Sequence, residues 1–485
     1  MIDKLFRKKD IGAMLEESSR AGGLKRNLSA FNLVALGIGA IVGAGIFVIT
    51  GQAASEYAGP ALTISFAISA FGCILAGLCY SEFAAMIPVS GSVYAYCYTT
   101  MGEFLAWFIG WTLILEYLFA CSAVAAAWSG YMTNLLNGWD IYLPSHISQS
   151  TFNYIGDKWV LTGSIINFPA VFIVGIVSAM LMGGIKQSAM INNIIVSIKV
   201  GVILLFIGFG LSVILAPDFD LAANWTPYIP ENTGKFGEFG WSGIFRGAAL
   251  VFFAYLGFDA LSTAAQETRR PQRDMPRGIL ISLSICALLY VAVTAVLTGI
   301  VHYSELNVEA PIGVAIDKAQ SLSWLSPFIK LGAIAGLSSV ILVMMLGQSR
   351  IYYSIAKDGL LPPILSKVHE QRGIPRNATL LASVATALIA GLFPLQALNE
   401  LVSIGTLLAF SIVCICVIIL RKTRPELKRP FKVPLVPLIP ILGALICIAQ
   451  MIALPWVTWI RLIGWTAVGI VVYFTYSIRH SRLGK

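Results

Sequence analysis

Lys199 stands well inside 191–215, a run of apolar residues long enough to cross a bilayer. A basic group at such depth costs about 2.5–3.5 kcal/mol on insertion scales, and ionisable groups inside a membrane are functional candidates by default. The plain alternative is a lysine whose stem snorkels to the interface. Three carboxylates pose the same question: Glu82, Glu116 and Asp259 lie in or beside the apolar runs 61–86, 103–133 and 242–266. Glu116 and Asp259 could titrate or hold a buried hydrogen bond, whereas Glu82, near the end of its run, reads more simply as an interfacial contact. Two segments are built to break a helix. One is Gly37-Ile-Gly-Ala-Ile-Val-Gly-Ala-Gly45 and the other is Phe252-Phe-Ala-Tyr-Leu-Gly-Phe-Asp259. Glycine costs about 1 kcal/mol against alanine in a helix interior, so such clusters allow unwinding. Close helix packing through small residues is the competing reading, and Gly39 and Gly43 fit it.

The elements that must position these groups follow from composition. Of the 485 residues, 57% are hydrophobic and only 12% charged, against roughly 25% charged in soluble domains. Apolar runs of about 20 residues, enough for ~30 Å of hydrocarbon, fall at 31–57, 61–86, 103–133, 167–185, 191–215, 242–266, 277–301, 324–356, 377–393, 397–420, 434–455 and 460–478. They lack the period-two alternation of barrel strands, so twelve transmembrane helices are expected.

The net charge of +9 is a topology signal rather than a nucleic-acid footprint, because most of the 33 Lys and Arg fall in loops on one side. They cluster at Lys4 to Arg26, Arg269/Arg270/Arg273/Arg277, Arg350 to Arg376, Arg421 to Lys432, and Arg479, Arg482 and Lys485. By the positive-inside rule that side is cytoplasmic, with both termini inside. Residues 1–30 show no small-residue cleavage site, so no removable signal peptide is expected. The eight cysteines lie in or next to runs, which argues against a disulfide framework or a metal site. The four histidines sit in loops or at run ends.

Runs one to five and six to ten recur at a nearly constant offset, and an odd number of crossings inverts the second unit. The expected fold is therefore an all-α polytopic membrane protein with a five-plus-five inverted repeat and broken helices one and six. Its parts are a cytoplasmic segment 1–30, a first repeat 31–215, an extracellular connection 216–241 and a second repeat 242–420. A basic cytoplasmic loop 421–433, helices eleven and twelve over 434–478, and a tail 479–485 complete it. The paired breaks point to a midplane binding site.

Four segments make the sequence similar to a known family: Gly37 to Phe47, Tyr80 to Tyr94, Phe252 to Asp259 running on to Arg273-Asp-Met-Pro276, and Ser349 to Pro362. The chain resembles the amino acid–polyamine–organocation superfamily, and within it the bacterial type of cationic amino acid transporter. The resemblance implies a leucine-transporter-type fold, alternating access, an L-amino acid substrate and often proton coupling, in a bacterial cytoplasmic membrane. It assigns the substrate carboxylate to the N–H groups of Gly43, Ala44 and Gly45 at a positive half-helix end. It assigns the ammonium to carbonyls of Ile41, Phe253, Ala254 and Leu256, with Phe253 also an aromatic gate. Ala44 departs from relatives that carry a hydroxyl there.

The same resemblance gives Lys199 a role, bracing the junction of spans one and eight and exchanging a proton during the cycle. Glu116 and Asp259 are further proton-coupling candidates, Asp259 as a link between occupancy and closure. Ser338 and Ser339 would instead help ligate sodium in a sodium-coupled carrier, though an ammonium and a sodium ion would repel each other at one site. No other metal or cofactor is expected. A sodium symporter, an amino acid exchanger and a transport-inactive sensor are the alternatives. A channel or enzyme would need a polar stripe or a convergent catalytic cluster, and neither is visible. Membrane lipids are the expected surroundings, while small membrane subunits and oligomeric state are not legible.

Overall fold

The computed structural model describes residues 5–19, 26–155, 158–308, 311–319, 324–454 and 456–484, so Lys4, Arg20, Lys25 and Lys485 of the basic clusters lie outside the described residues. The apolar runs fold as helices. After α1 (Ile11–Ser19), the first run forms α2 (Ala30–Ile41), then a loosened stretch to Ala58 in which wide π turns alternate with ordinary ones. There follow α3 (Leu62–Met86), α4 (Ser92–Thr100), α5 (Glu103–Asn137), α6 (Phe168–Gly183) and α7 (Ile185–Ile214). The second half opens with α8 (Gly240–Val251), a 3-10 turn Phe252–Tyr255, and α9 (Phe258–Thr263). It continues with α10 (Pro271–Ile300), α11 (Pro311–Lys318), α12 (Ser326–Lys357), α13 (Arg376–Leu392) and α14 (Leu395–Thr423), and ends with α15 (Leu438–Ile452) and α16 (Trp456–Val472).

Among the described residues, eight helical stretches are long and apolar enough to cross a membrane, the first of them, 30–86, holding two expected runs. The helices α6, α13 and α15 have 16, 17 and 15 residues. At 1.5 Å per residue they reach roughly 22–26 Å, short of ~30 Å of hydrocarbon. One element is not helical: β1 (Phe152–Ile155) and β2 (Lys158–Leu161) pair antiparallel in the connection between α5 and α6. The connection 138–167 can form such a hairpin because it lies outside the long apolar helices.

Apolar side chains cover both the interior and the outward faces. Ile194, Leu388 and Ile463 are more than half exposed, an arrangement that suits lipid rather than water as solvent. Inside, small residues and hydroxyls hold helices together. Ser65 Oγ donates to Ile244 O at 2.8 Å and Ser69 Oγ to Ala248 O at 2.6 Å, which ties α3 to α8. Such bonds satisfy hydroxyls that lipid could not. The long α12 packs on α5 and α7, and α10 packs on α3 and α2, so the broken segments lie enclosed between the two halves. The pair α15 and α16 rests on the outside, mainly against α14, α3 and α5.

The lead-in segment lies across one end of the bundle. Lys9 Nζ meets Asp358 Oδ1 at 2.5 Å, Tyr94 Oη donates to Asp358 Oδ2 at 2.7 Å, and Arg7 Nη1 donates to Leu483 O at 2.9 Å. Both chain ends therefore meet at the foot of α12. Glu103 reinforces the corner by accepting from Tyr98 Oη, Tyr473 Oη and Ser481 Oγ.

Candidate substrate site and coupling junction

The first break falls at Val42 and Gly43. α2 ends at Ile41, Val42 turns to an extended ψ of 97°, and helical geometry resumes at Ala44. The first N–H groups of a helix have no acceptor within it, and here they belong to Gly43, Ala44 and Gly45. The second break falls at Leu256 and Gly257. Leu256 has ψ 144° and Gly257 φ 112°, a left-handed conformation that glycine adopts without a side-chain clash. A Cβ on Gly257 would also sit 2.6 Å from Ala40 Cβ. Gly45 serves a different need, because a side chain there would collide with Ala254. The two broken segments thus touch backbone to backbone.

Tyr290 of α10 joins them. Its hydroxyl lies 2.6 Å from Ile41 O and 2.9 Å from Ala254 O, one carbonyl from each break. Its ring packs edge-on against Phe66 and beside Tyr255. Of the four expected ammonium acceptors, these two converge on a single hydroxyl. Phe253 O is taken locally by Leu256 N at 3.2 Å. Phe253 itself is buried against the junction. Sequence reading missed Tyr290. Its only signal was a phenol in an apolar run, where a buried hydroxyl needs a partner.

Lys199 is fully buried and reaches the first break from α7. Its Nζ donates to Gly39 O and Val42 O, both at 2.9 Å, and to Ser339 Oγ at 2.7 Å. Ser339 Oγ in turn lies 3.0 Å from Gly39 O and 2.8 Å from Gly336 O. Gly336 lies beside the lysine stem and makes room for Phe47, whose Cε2 would lie 3.1 Å from a Cβ at that position. Lysine, first break and α12 therefore form one cluster. Ser338 stands apart from it. It accepts from Trp128 Nε1 at 2.9 Å and donates to Ile334 O at 2.8 Å, so the two tandem hydroxyls do not share a site.

The acids sit at the second break. Asp259 Oδ1 accepts from Gly257 N at 3.2 Å, and Oδ2 accepts from Tyr117 Oη of α5. The carboxylate thus closes the turn that Gly257 opens and ties it to the neighbouring helix. Glu116 precedes Tyr117 on α5 and is buried, and its Oε2 has no hydrogen-bond partner among the described residues. A buried carboxyl oxygen left in this way is expensive unless a proton, a water or a ligand meets it.

Glu82, Arg350 and Asp358 have structural roles. Glu82 accepts from Arg421 Nη2 at 2.5 Å and from Val433 N at 2.7 Å, with Arg429 Nε at 3.3 Å, and so pins the loop between α14 and α15. Arg350 and Asp358 do not pair with each other. Arg350 Nε donates to Glu267 Oε1 at 2.7 Å, both side chains buried, while Asp358 takes Lys9. Burial pushes the Glu267 carboxyl up and Arg350 pulls it back, leaving it above the usual range. The Glu267 carbonyl also accepts from Asn27 N and Leu28 N, which binds the lead-in to the end of α9.

A family model described as amino acid permease matches residues 28–475. The chain belongs to the amino acid permease family. The permease is 44% identical over 484 residues to the methylthioribose transporter of Bacillus subtilis (strain 168), with both chains covered in full. It is equally similar, 44% over 486 residues and again 100% of each chain, to the branched-chain amino acid permease BcaP of the same organism. The vacuolar cationic amino acid transporter 4 of Arabidopsis thaliana shares 35% over 427 residues, covering 88% of the permease and 68% of that protein. These relatives are named as transporters and permeases, and this chain is a multi-pass membrane transporter rather than an enzyme.

Proposed function

We propose that this permease is a secondary carrier of L-amino acids, driven by protons, which binds its substrate where the two helix breaks meet and works by alternating access. The observation that carries the reading is the convergence of Ile41 O and Ala254 O on one hydroxyl, next to Gly43, Ala44 and Gly45, whose N–H groups open the resumed helix. An amino acid has an anionic and a cationic end, and this junction, where Gly45 lies against Ala254, offers donors for one and carbonyls for the other. Carbonyls carry two lone pairs, so Ile41 and Ala254 can accept an ammonium while sharing the single Tyr290 hydroxyl proton between them.

Proton coupling rests on the Lys199 cluster. Protonated, the amine donates to two carbonyls and to Ser339. Neutral, it keeps two N–H bonds and offers a lone pair, to which the Ser339 hydroxyl can turn and donate. The cluster is satisfied in both states, which a proton exchanger needs. A sodium ion at Ser339 would sit against the ammonium, so sodium coupling fits less well. Glu116, with an oxygen unmet, is the second proton candidate, and Asp259 would transmit occupancy to closure of the second break. The reading places twelve crossings in a five-plus-five inverted repeat, 31–215 and 242–420, with 434–478 appended. Both termini then lie inside a bacterial cytoplasmic membrane.

The relatives favour one further reading. The two Bacillus proteins are equally similar to this chain, and only one name specifies an amino acid; a neutral methylthio sugar is therefore the second candidate cargo. Proteoliposomes loaded with purified permease separate the readings. Under an inward proton gradient without sodium, labelled amino acids should accumulate and be displaced in counterflow. Accumulation of methylthioribose alone would overturn the cargo, accumulation only with sodium would overturn the coupling, and binding without counterflow would indicate a sensor.

A further inference from the structure

The amino end of α10 carries a feature that the transport reading does not use. Arg273 and Arg277 are exposed and lie four residues apart, on one face of the helix, where side chains i and i+4 are neighbours. The face continues through Ile281, which is 45% exposed, to Leu288 at 74%. It is thus basic at the end of the helix and apolar along its length. The side chains of Arg273 and Arg277 have no ion pair or hydrogen bond to another described residue and, being exposed, are open to a ligand.

An ordinary lipid-facing helix would offer a convex surface. Here the loop between α14 and α15 stands beside α10, and Pro430 and Phe431 form the second wall of an open groove of about 570 Å³, with the two arginines at its rim and Leu280 and Ile281 along its floor. That wall is held in place. Val433 N donates to buried Glu82, and Arg429 donates to the carbonyls of Leu427 and Arg424, both at 2.8 Å. The loop is folded on itself and anchored to α3, so the groove is present before any ligand arrives.

We propose that this groove is a binding site for an anionic phospholipid of the leaflet at the α10 amino end. Its phosphate would lie between Arg273 and Arg277 and one acyl chain along Leu280, Ile281 and Phe431. Guanidinium groups match a phosphate oxygen pair in shape and charge, and basic pockets at a membrane face are suited to acidic headgroups. The apolar floor distinguishes a lipid from a free phosphate, which would have no use for it. The site lies away from the helix breaks and does not depend on which cargo is carried.

The test uses the full-length permease in neutral detergent. Native mass spectrometry would count bound lipid after addition of phosphatidylglycerol, phosphatidylcholine or glycerol phosphate, with the thermal midpoint followed in parallel. Phosphatidylglycerol should be retained and should raise the midpoint, and phosphatidylcholine and glycerol phosphate should do neither. Each basic residue near an anionic surface is worth about a fivefold change in affinity, so Arg273→Ala/Arg277→Ala should weaken retention on the order of tenfold or more. Phe431→Ala should weaken it with all charges kept, and Arg269→Ala/Arg270→Ala, with the same loss of charge outside the groove, should leave it in place. All of these positions are at the surface, and an unchanged midpoint without lipid would verify folding. Equal losses in the two double variants would mean general charge attraction and overturn the site. So would retention of phosphatidylcholine as strong as that of phosphatidylglycerol, or binding of glycerol phosphate with the affinity of the lipid.

Discussion

Two buried cations, Lys199 and Arg350, lie in the same molecule with partners of opposite kind. Lys199 faces neutral dipoles, two carbonyls and a hydroxyl, at a helix break. Arg350 faces a buried carboxylate, Glu267, where the lead-in meets the foot of the bundle. A lysine among dipoles can give up its proton and leave no opposite charge behind. A guanidinium does not deprotonate in proteins, and removing it would strand Glu267. The first arrangement suits a proton that comes and goes, and the second suits a latch that holds one end of the bundle until the whole pair moves.

That contrast is open to test, and the largest effect should come from the latch. Arg350→Ala leaves a buried carboxylate unpaired and should destabilise the protein by about 3–5 kcal/mol, read as a fall in thermal midpoint in detergent. A change within error would mean that Glu267 is reached by water and the pair is no latch. Lys199→Met keeps the length of the stem and removes the donor. Leaving the Val42 carbonyl without this donor and the Gly39 carbonyl with Ser339 alone should cost about 1–3 kcal/mol, and accumulation under a proton gradient should disappear while counterflow persists. Full gradient-driven accumulation by this variant would sink the coupling role and make Lys199 a strut like Arg350.

Tyr290→Phe tests whether the breaks are joined by one hydroxyl. It should cost about 1 kcal/mol of stability and shift apparent substrate affinity by about fivefold, measured as half-saturation in counterflow. An unchanged half-saturation would show that Ile41 and Ala254 hold their geometry without it. The smallest effect should come from an exposed pair. Lys318 and Glu305 are ion-paired but 42% and 51% exposed, and Lys318→Ala should change stability by no more than about 1 kcal/mol. A larger loss would undermine the view that burial, rather than pairing itself, sets the scale at Arg350.

Much of the fold was legible because its signals are local. Twenty-residue apolar runs report the solvent directly, and glycines lower helix stability wherever they stand, so both breaks appear at Val42–Gly43 and Leu256–Gly257 with no knowledge of neighbours. The β1–β2 hairpin was not legible, because strands of four residues are too short to register beside the long apolar runs. Helices such as α6 and α15 are shorter than their apolar runs, since composition does not record where a helix ends.

The sequence by itself also determined that Lys199 and Asp259 would be costly residues in need of partners, because an ionisable group in hydrocarbon is conspicuous without any coordinates. Only the tertiary structure decided who those partners are. Tyr290 lies 249 residues from Ile41 in the chain, Tyr117 lies 142 from Asp259, and Arg350 lies 83 from Glu267. The tandem hydroxyls show the same division. Ser338 and Ser339 are adjacent in sequence, but neighbours on a helix point about 100° apart, so packing gave one to Trp128 and the other to Lys199. A single chain states which groups must be satisfied, and the packing of helices distant in sequence chooses the atoms that satisfy them.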